Sequence, residues 1–229
     1  SSNSLIELTE EWDRFSLLEK VGWKLTKEKG RLGIMGGTFD PLHYGHLVAA
    51  EMARHEFDLE KVIFIPTGNP PHKENQKVTP SQDRYEMVKR AIVNNPFFEV
   101  SPLEIDREGY SYTVDTLRIL HKKYPEHQLC FITGADAFRE IFTWKDVHSV
   151  LSLSHFIGAS RPGFDTNEFL EELERKYPEF IPHMHLLDVP ALAISSTDIR
   201  QRVKKGKPIR YLLPESVREY IIEKGLYLE

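Results

Sequence analysis

The densest run of residues able to do chemistry is Gly36-Gly37-Thr38-Phe39-Asp40-Pro41-Leu42-His43-Tyr44-Gly45-His46, directly after the apolar segment Leu32–Met35. Two adjacent glycines lack Cβ atoms, so the main chain can reverse sharply there and bring its N–H groups close to an anion. Pro41 suits the start of a helix. His43 and His46, three residues apart, fall on one face of its first turn, and Gly45 leaves room between them. The partial positive charge of a helix start adds to the two imidazole donors. Together these features describe an anion clamp suited to a phosphate chain. A histidine pair at this spacing also serves as metal ligands or as satisfied structural histidines, but the preceding strand and Gly-Gly turn favour phosphate. The run is neither a G-x-G-x-x-G fingerprint nor a P-loop, since no Gly-Lys-Ser/Thr follows.

A second cluster, Ser195-Ser196-Thr197-Asp198-Ile199-Arg200, follows an apolar strand and opens a helix. Ser196 is expected as its N-cap, with Asp198 in the first turn and Arg200 one turn on, sharing a face with Ser196. Read for function, this is a second helix start aimed at phosphates, with Arg200 as a forked cation. Read for structure alone, it is a capped helix with a solvated arginine. Pro70-Pro71-His72-Lys73 is a stiff turn that presents Lys73 to a phosphate as a point charge. His148, His155 and the pair His183-x-His185 have no acids or further cysteines nearby in sequence, so no protein-held metal is expected. Cys130, in the apolar run Leu129–Ile132, reads as a buried, inert thiol.

These residues need elements to place them. From Arg31 onward the chain alternates apolar, β-branched runs with helical periodicity. Strands are expected at 32–35, 61–66, 97–101, 129–133 and 155–160, with a last one within 184–194. Helices are expected at 47–57, 81–94, 113–124, 135–141, 166–177, 197–205 and 214–224. Strands separated by helices of this length imply βαβ units and a parallel sheet, whose ligands sit beyond the carboxyl ends of the strands. The expected fold class is therefore α/β: a Rossmann-like open, mainly parallel sheet with helices on both faces. Residues 1–30 stand apart as an amphipathic N-terminal helical extension, and residues 31–229 read as one domain.

Composition narrows the field. The chain has 229 residues, 30 Lys and Arg against 35 Asp and Glu, and a net charge of −5. That balance argues against a nucleic-acid coat, which needs a basic excess. A single cysteine excludes an internal disulfide framework. No apolar stretch has the length to span a bilayer, and no signal peptide is visible, so no membrane association and a cytoplasmic location are expected.

The motifs resemble, together and in order, the H-x-G-H nucleotidyltransferase superfamily and within it the bacterial nicotinate-mononucleotide adenylyltransferases. Beyond the first turn, the resemblance rests on Gly68-Asn69-Pro70-Pro71-His72-Lys73, Ser111-Tyr112-Thr113-Val114-Asp115-Thr116 and Gly134-Ala135-Asp136 with Trp144. Arg161-Pro162-Gly163 and Ile194–Arg200 complete it. It covers roughly residues 31–229, and the N-terminal extension departs from the short members. The resemblance implies adenylyl transfer from ATP to nicotinate mononucleotide, giving nicotinate adenine dinucleotide and pyrophosphate. It implies ATP along Gly36, Gly37, Thr38 and Phe39, with His43 and His46 on the transferred phosphate. The pyrophosphate is expected against Lys73, Ser195, Ser196, Thr197 and Arg200. Gly134 and Asp136 are expected at the ribose and adenine, and Arg161 near the adenine. Trp144 is expected to stack on the pyridine, with main-chain N–H groups near Thr113 and Lys145 holding the nicotinate carboxylate. Mg²⁺ is expected on the ATP phosphates, with no metal site on the protein. A homo-oligomer stays open. The alternatives are a superfamily member acting on nicotinamide mononucleotide or phosphopantetheine, and a nucleotide sensor or scaffold that kept the pocket without catalysis.

Overall fold

A computed structural model describes residues 30–73, 76–134, 137–160, 167–190 and 193–229, without the side chains of His72, Phe138 and Arg139. The expected N-terminal helical extension, Asp136 and Arg161 lie outside the described residues. Six strands form one sheet: β1 (Gly30–Gly37), β2 (Lys61–Pro66), β3 (Phe98–Val100), β4 (His127–Gly134), β5 (His155–Ser160) and β6 (Met184–Asp188). Their order is β3-β2-β1-β4-β5-β6, and every pairing is parallel. The chain moves outward from β1 to β3, then returns to lay β4 on the other side of β1. The carboxyl ends of β1 and β4 therefore flank the point where strand order reverses, the place where such sheets bind ligands.

The strands are buried on both faces, and their side chains alternate between two cores. On one face Leu32, Ile34, Ile63, Ile65, Leu129 and Phe131 pack with Val114, Leu117 and Leu120 of helix α3 (Thr113–Lys123). Phe169, Leu170 and Leu173 of helix α6 (Asn167–Lys176) and Val150 and Leu151 of helix α5 (Val147–Leu153) complete that layer. On the other face Met35, Val62, Phe64, Cys130 and Ile132 meet Ala50 and Ala53 of helix α1 (Tyr44–Glu56) and Val88 and Ile92 of helix α2 (Ser81–Ile92). Helices α7 (Ser196–Lys204) and α8 (Glu215–Lys224) pack on α2 through Met87, Ile199, Val217, Tyr220 and Ile221. That third cluster carries the Ser195–Arg200 segment to the carboxyl end of the sheet.

The expected elements appear with boundaries moved by a few residues. The last strand ends at Asp188. The helix expected at 135–141 is a single turn, α4 (Phe138–Ile141). Helix α5 was not expected: Val147-His-Ser-Val-Leu-Ser-Leu153 is short and poor in strong helix formers. It forms because Val150 and Leu151 are fully buried in the core beneath it. Among the described residues no helix is long and apolar enough to cross a membrane.

Candidate active site

Pro41 precedes helix α1 as expected, and the helix begins three residues before the expected 47. Pro41 follows Asp40 through a cis peptide bond and stands outside the helix, which begins at Tyr44 with His43 as its N-cap. The His43 Nδ1 accepts from the Gly45 N–H at 3.0 Å, and the His43 N–H donates back to the His46 Nδ1 at 3.1 Å. This is a capping box built from two histidines, and it satisfies main-chain donors that a helix start leaves over. It also settles the tautomer. A neutral ring whose Nδ1 accepts a hydrogen bond carries its proton on Nε2. Burial lowers the His43 pKa to about 4 and holds His46 well below the usual histidine range, with His43 adding to the effect. Both rings are thus neutral Nε2–H donors near pH 7, stacked 3.9 Å apart between centroids.

Gly45 makes this packing fit. A Cβ on Gly45 would lie 2.8 Å from the His43 ring and 3.8 Å from the Ile194 carbonyl oxygen. Phe39 supports the pair from behind: its ring is 2% exposed and meets His46 edge-on at 5.1 Å. Phe39, expected at ATP, has its side chain in the core and lines neither of the two cavities described next.

The second helix start meets the first. Ser195, not Ser196, caps α7, accepting from the Asp198 N–H at 3.1 Å. Ser196 is turned away from that role because its hydroxyl donates to the Pro41 carbonyl at 2.8 Å. Arg200 donates through Nη1 to the Asp40 carbonyl at 2.8 Å and through Nη2 to the Thr197 hydroxyl at 3.3 Å. The two chain reversals singled out in the sequence are therefore bonded to each other. Lys73, at the end of a 3-10 turn (Pro71–Lys73), is half-buried. Its pKa is lowered, first by burial and then by the nearby Arg200.

Two cavities share Gly36 and Thr133 and so form one groove over the ends of β1 and β4. One, of about 310 Å³, is lined by His43, His46, Gly134 and Ile194. The other, of about 240 Å³, is lined by Gly37, Thr38, Lys73, Thr113, Trp144 and Lys145. Trp144 stands edge-on to Phe131 at 5.8 Å, and the Lys145 ammonium lies 4.3 Å from the centre of the Tyr112 ring. No side chain caps α3, and among the described residues the N–H groups of Thr113 and Lys145 have no acceptor.

Sequence reading missed three groups here. Glu104 is 7% exposed, lines the second cavity, and has its pKa raised to about 7, mainly by burial. Arg84 is 1% exposed, bonds the carbonyls of the groove-lining Thr38 and Thr67, and lines a neighbouring cavity with Lys73, and Tyr227 reaches back to Asp40 from near the end of the chain. None carries a local signal, since each acquires its role from burial against residues distant in sequence. Among the described residues no group of three or more His, Cys, Asp or Glu is placed to hold a metal ion.

The cytidylyltransferase-like family model matches residues 34–202. A protein of Desulfitobacterium hafniense named "Probable nicotinate-nucleotide adenylyltransferase" is 82% identical over 197 residues, 86% of this chain and 95% of that protein. A protein of the same name from Moorella thermoacetica is 61% identical over 205 residues, 89% of this chain and 94% of that one. Among solved structures, the nicotinic acid mononucleotide adenylyltransferase of Plasmodium falciparum, complexed with NaAD, superposes with a TM-score of 0.70. It is 22% identical and is matched over 86% of this chain and 97% of that one, which is a likeness of fold.

Proposed function

The chain belongs to the cytidylyltransferase-like family and, within it, to the nicotinate-nucleotide adenylyltransferases, and from that premise we propose how its groove carries out adenylyl transfer from ATP to nicotinate mononucleotide. A 5′-phosphate oxygen of the mononucleotide attacks the α-phosphorus of ATP in line. The new P–O bond forms as the bond from the α-phosphorus to the bridging oxygen breaks, and the electron pair leaves with pyrophosphate. A phosphate oxygen is already an anion at neutral pH, so no enzyme nucleophile is needed. Catalysis is then positioning and charge stabilisation.

The observation that carries this reading is the tautomer of the histidine pair. With both Nδ1 atoms engaged by main-chain N–H groups, the cavity is offered two Nε2–H donors that need no protonation. They hold the charge that builds on the transferred phosphate. Lys73, Arg200 and the start of α7 steady the departing pyrophosphate. Gly36, Gly37 and Thr38 line the path between the two cavities, and Gly134 faces the nucleoside. Asp136 and Arg161 keep their proposed places at the ribose and adenine.

In the second cavity Trp144 offers an aromatic surface for the pyridine ring. The open N–H groups of Thr113 and Lys145 suit a carboxylate. They would be mismatched to the amide NH₂ of nicotinamide, which gives a physical basis for preferring nicotinate. Mg²⁺ would be held by the phosphate oxygens of ATP and by water, the ligand set it favours. There it would neutralise phosphate charge. The chemistry belongs to cytoplasmic pyridine-nucleotide synthesis.

The test is pyrophosphate release with ATP and each of the two pyridine mononucleotides. Turnover with the nicotinate substrate and a lower kcat/KM with the nicotinamide one are expected. His46→Ala should cut kcat by about 100- to 1000-fold while the protein stays folded. A near-normal rate in that variant would remove the role assigned to the histidine pair.

A further inference from the structure

Arg84 is the largest fully buried side chain described, 1% exposed, and it carries a charge. Among the described residues no carboxylate lies within ion-pair distance of it. Four hydrogen bonds tie its guanidinium to main-chain carbonyls. Nε donates to Thr79 at 2.8 Å, Nη1 to Thr38 at 2.9 Å and to Thr67 at 2.7 Å, and Nη2 to Gly68 at 3.3 Å. Those carbonyls belong to the turn after β1, the turn after β2 and the segment leading into α2. Asp40 and Glu104 are near enough to favour the charge, but burial outweighs them and lowers its pKa. A buried cation with no direct ion pair is a poor way to stabilise a fold, because desolvation opposes it. A planar fork with five donors is, however, a good way to fix several backbone segments relative to one another.

The same stretch is gripped at Asp40, which is 5% exposed. One carboxylate oxygen accepts from the Thr79 N–H at 3.0 Å, and the other accepts from the Tyr227 hydroxyl. The Asp40 carbonyl is the one held by Arg200. Arg84 and Tyr227 are 46 and 187 residues away from the atoms they hold. They converge on Thr38–Asp40, immediately before the His43–His46 clamp, and Arg84 ties that stretch to the turn that leads to Lys73.

The geometry points to Arg84 and Tyr227 as positioning residues for adenylyl transfer: through Thr38 and Asp40 they set the histidine clamp at a fixed distance from Lys73 and Arg200. Neither touches the groove's substrates in this account, which rests on the site reading given above. The reacting phosphates must be held in line, and a misplacement of about 1 Å in such a site costs on the order of 100-fold in rate. The expected signature is therefore a loss of kcat with substrate binding largely kept.

Tyr227→Phe removes one hydroxyl and leaves the ring. Arg84→Lys keeps the charge but cannot reach carbonyls in three segments from a single ammonium. The experiment measures kcat and both KM values for Tyr227→Phe, Arg84→Lys, the double variant and His46→Ala, alongside thermal melting of each. Tyr227→Phe should lower kcat at least tenfold, and Arg84→Lys more. Both KM values should stay within about threefold of the parent. The double variant should lose less than the product of the two single losses, because both act on one stretch. If Arg84→Lys fails to fold, Tyr227→Phe decides alone. A kcat within twofold of the parent in Tyr227→Phe, or a loss confined to KM, overturns the proposal provided His46→Ala is impaired. If His46→Ala is itself active, the failure lies in the site reading instead.

Discussion

Glu104 shows how burial alone retunes a carboxyl that lines the groove. Its carboxyl lines the cavity shared with Trp144 and Thr113, and burial raises its pKa to about 7 against the opposing influence of Arg107, a hydrogen bond with Thr116, and Arg84. A carboxyl with a raised native pKa gives its full stabilising contribution below the unfolded value near 4.5. It loses that contribution as pH climbs through 7. At pH 8 the native state therefore holds a charged carboxylate in a poorly solvated place, at a cost of up to about 3 kcal/mol. Glu104→Gln should raise the urea midpoint at pH 8 and leave it nearly unchanged at pH 5. An equal change at both pH values would mean that shape, not titration, governs the site.

Helix α1 belongs to the next scale, because its start is the clamp. The His43 and His46 side chains both cap the helix and face the groove. Helix stability and the chemistry proposed for the pair thus draw on one set of contacts, and a substitution can separate them. Gly45→Ala adds a methyl that ordinarily favours a helix by up to about 1 kcal/mol. The same methyl would press on the His43 ring at 2.8 Å and push it off the Gly45 N–H. We expect kcat to fall at least tenfold with no matching drop in the melting temperature. Normal turnover in that variant would show that the ring tolerates displacement. The sequence announced this element through its Gly-Gly turn and H-x-G-H spacing. The expected span began late, at Leu47 and not Tyr44, because apolar spacing starts only there, whereas the helix starts where side chains satisfy its first N–H groups.

Across the whole molecule, buried histidines sit at both ends of the sheet. At the amino ends of β5 and β6, His155 Nδ1 lies 2.9 Å from His185 Nε2, and the His155 and His183 rings stack at 4.5 Å. Burial and neighbouring positive groups lower the pKa of His155 to about 2 and of His185 to about 3. At the carboxyl ends, His43 and His46 are lowered as well. Each of these groups binds a proton on unfolding once the pH drops below the unfolded value near 6.5, so their stabilising contribution is full above that pH and shrinks below it. Every such proton removes up to about 1.4 kcal/mol per pH unit. Glu104 acts in the opposite direction between pH 7 and 4.5, but as one group against four. The urea midpoint of the ligand-free protein should therefore fall steadily from pH 7 to pH 5. A flat or rising profile over that range would show that these imidazoles accept protons in the native state.

Hydrophobic periodicity and turn residues were enough to lay out an alternating α/β chain, to put the Gly36–His46 and Ser195–Arg200 runs after strands, and to point at phosphate chemistry. Those features are local: a two-residue strand alternation, a helical spacing and a glycine pair are written within a dozen residues. Helix α5, the change of cap from Ser196 to Ser195, and the bonding of Arg84 and Tyr227 to the Thr38–Asp40 stretch were not legible. Each depends on a partner tens to hundreds of residues away, and only the closed sheet, with α7 and α8 packed on α2, brings those partners within bonding distance and removes the water that would otherwise compete for them.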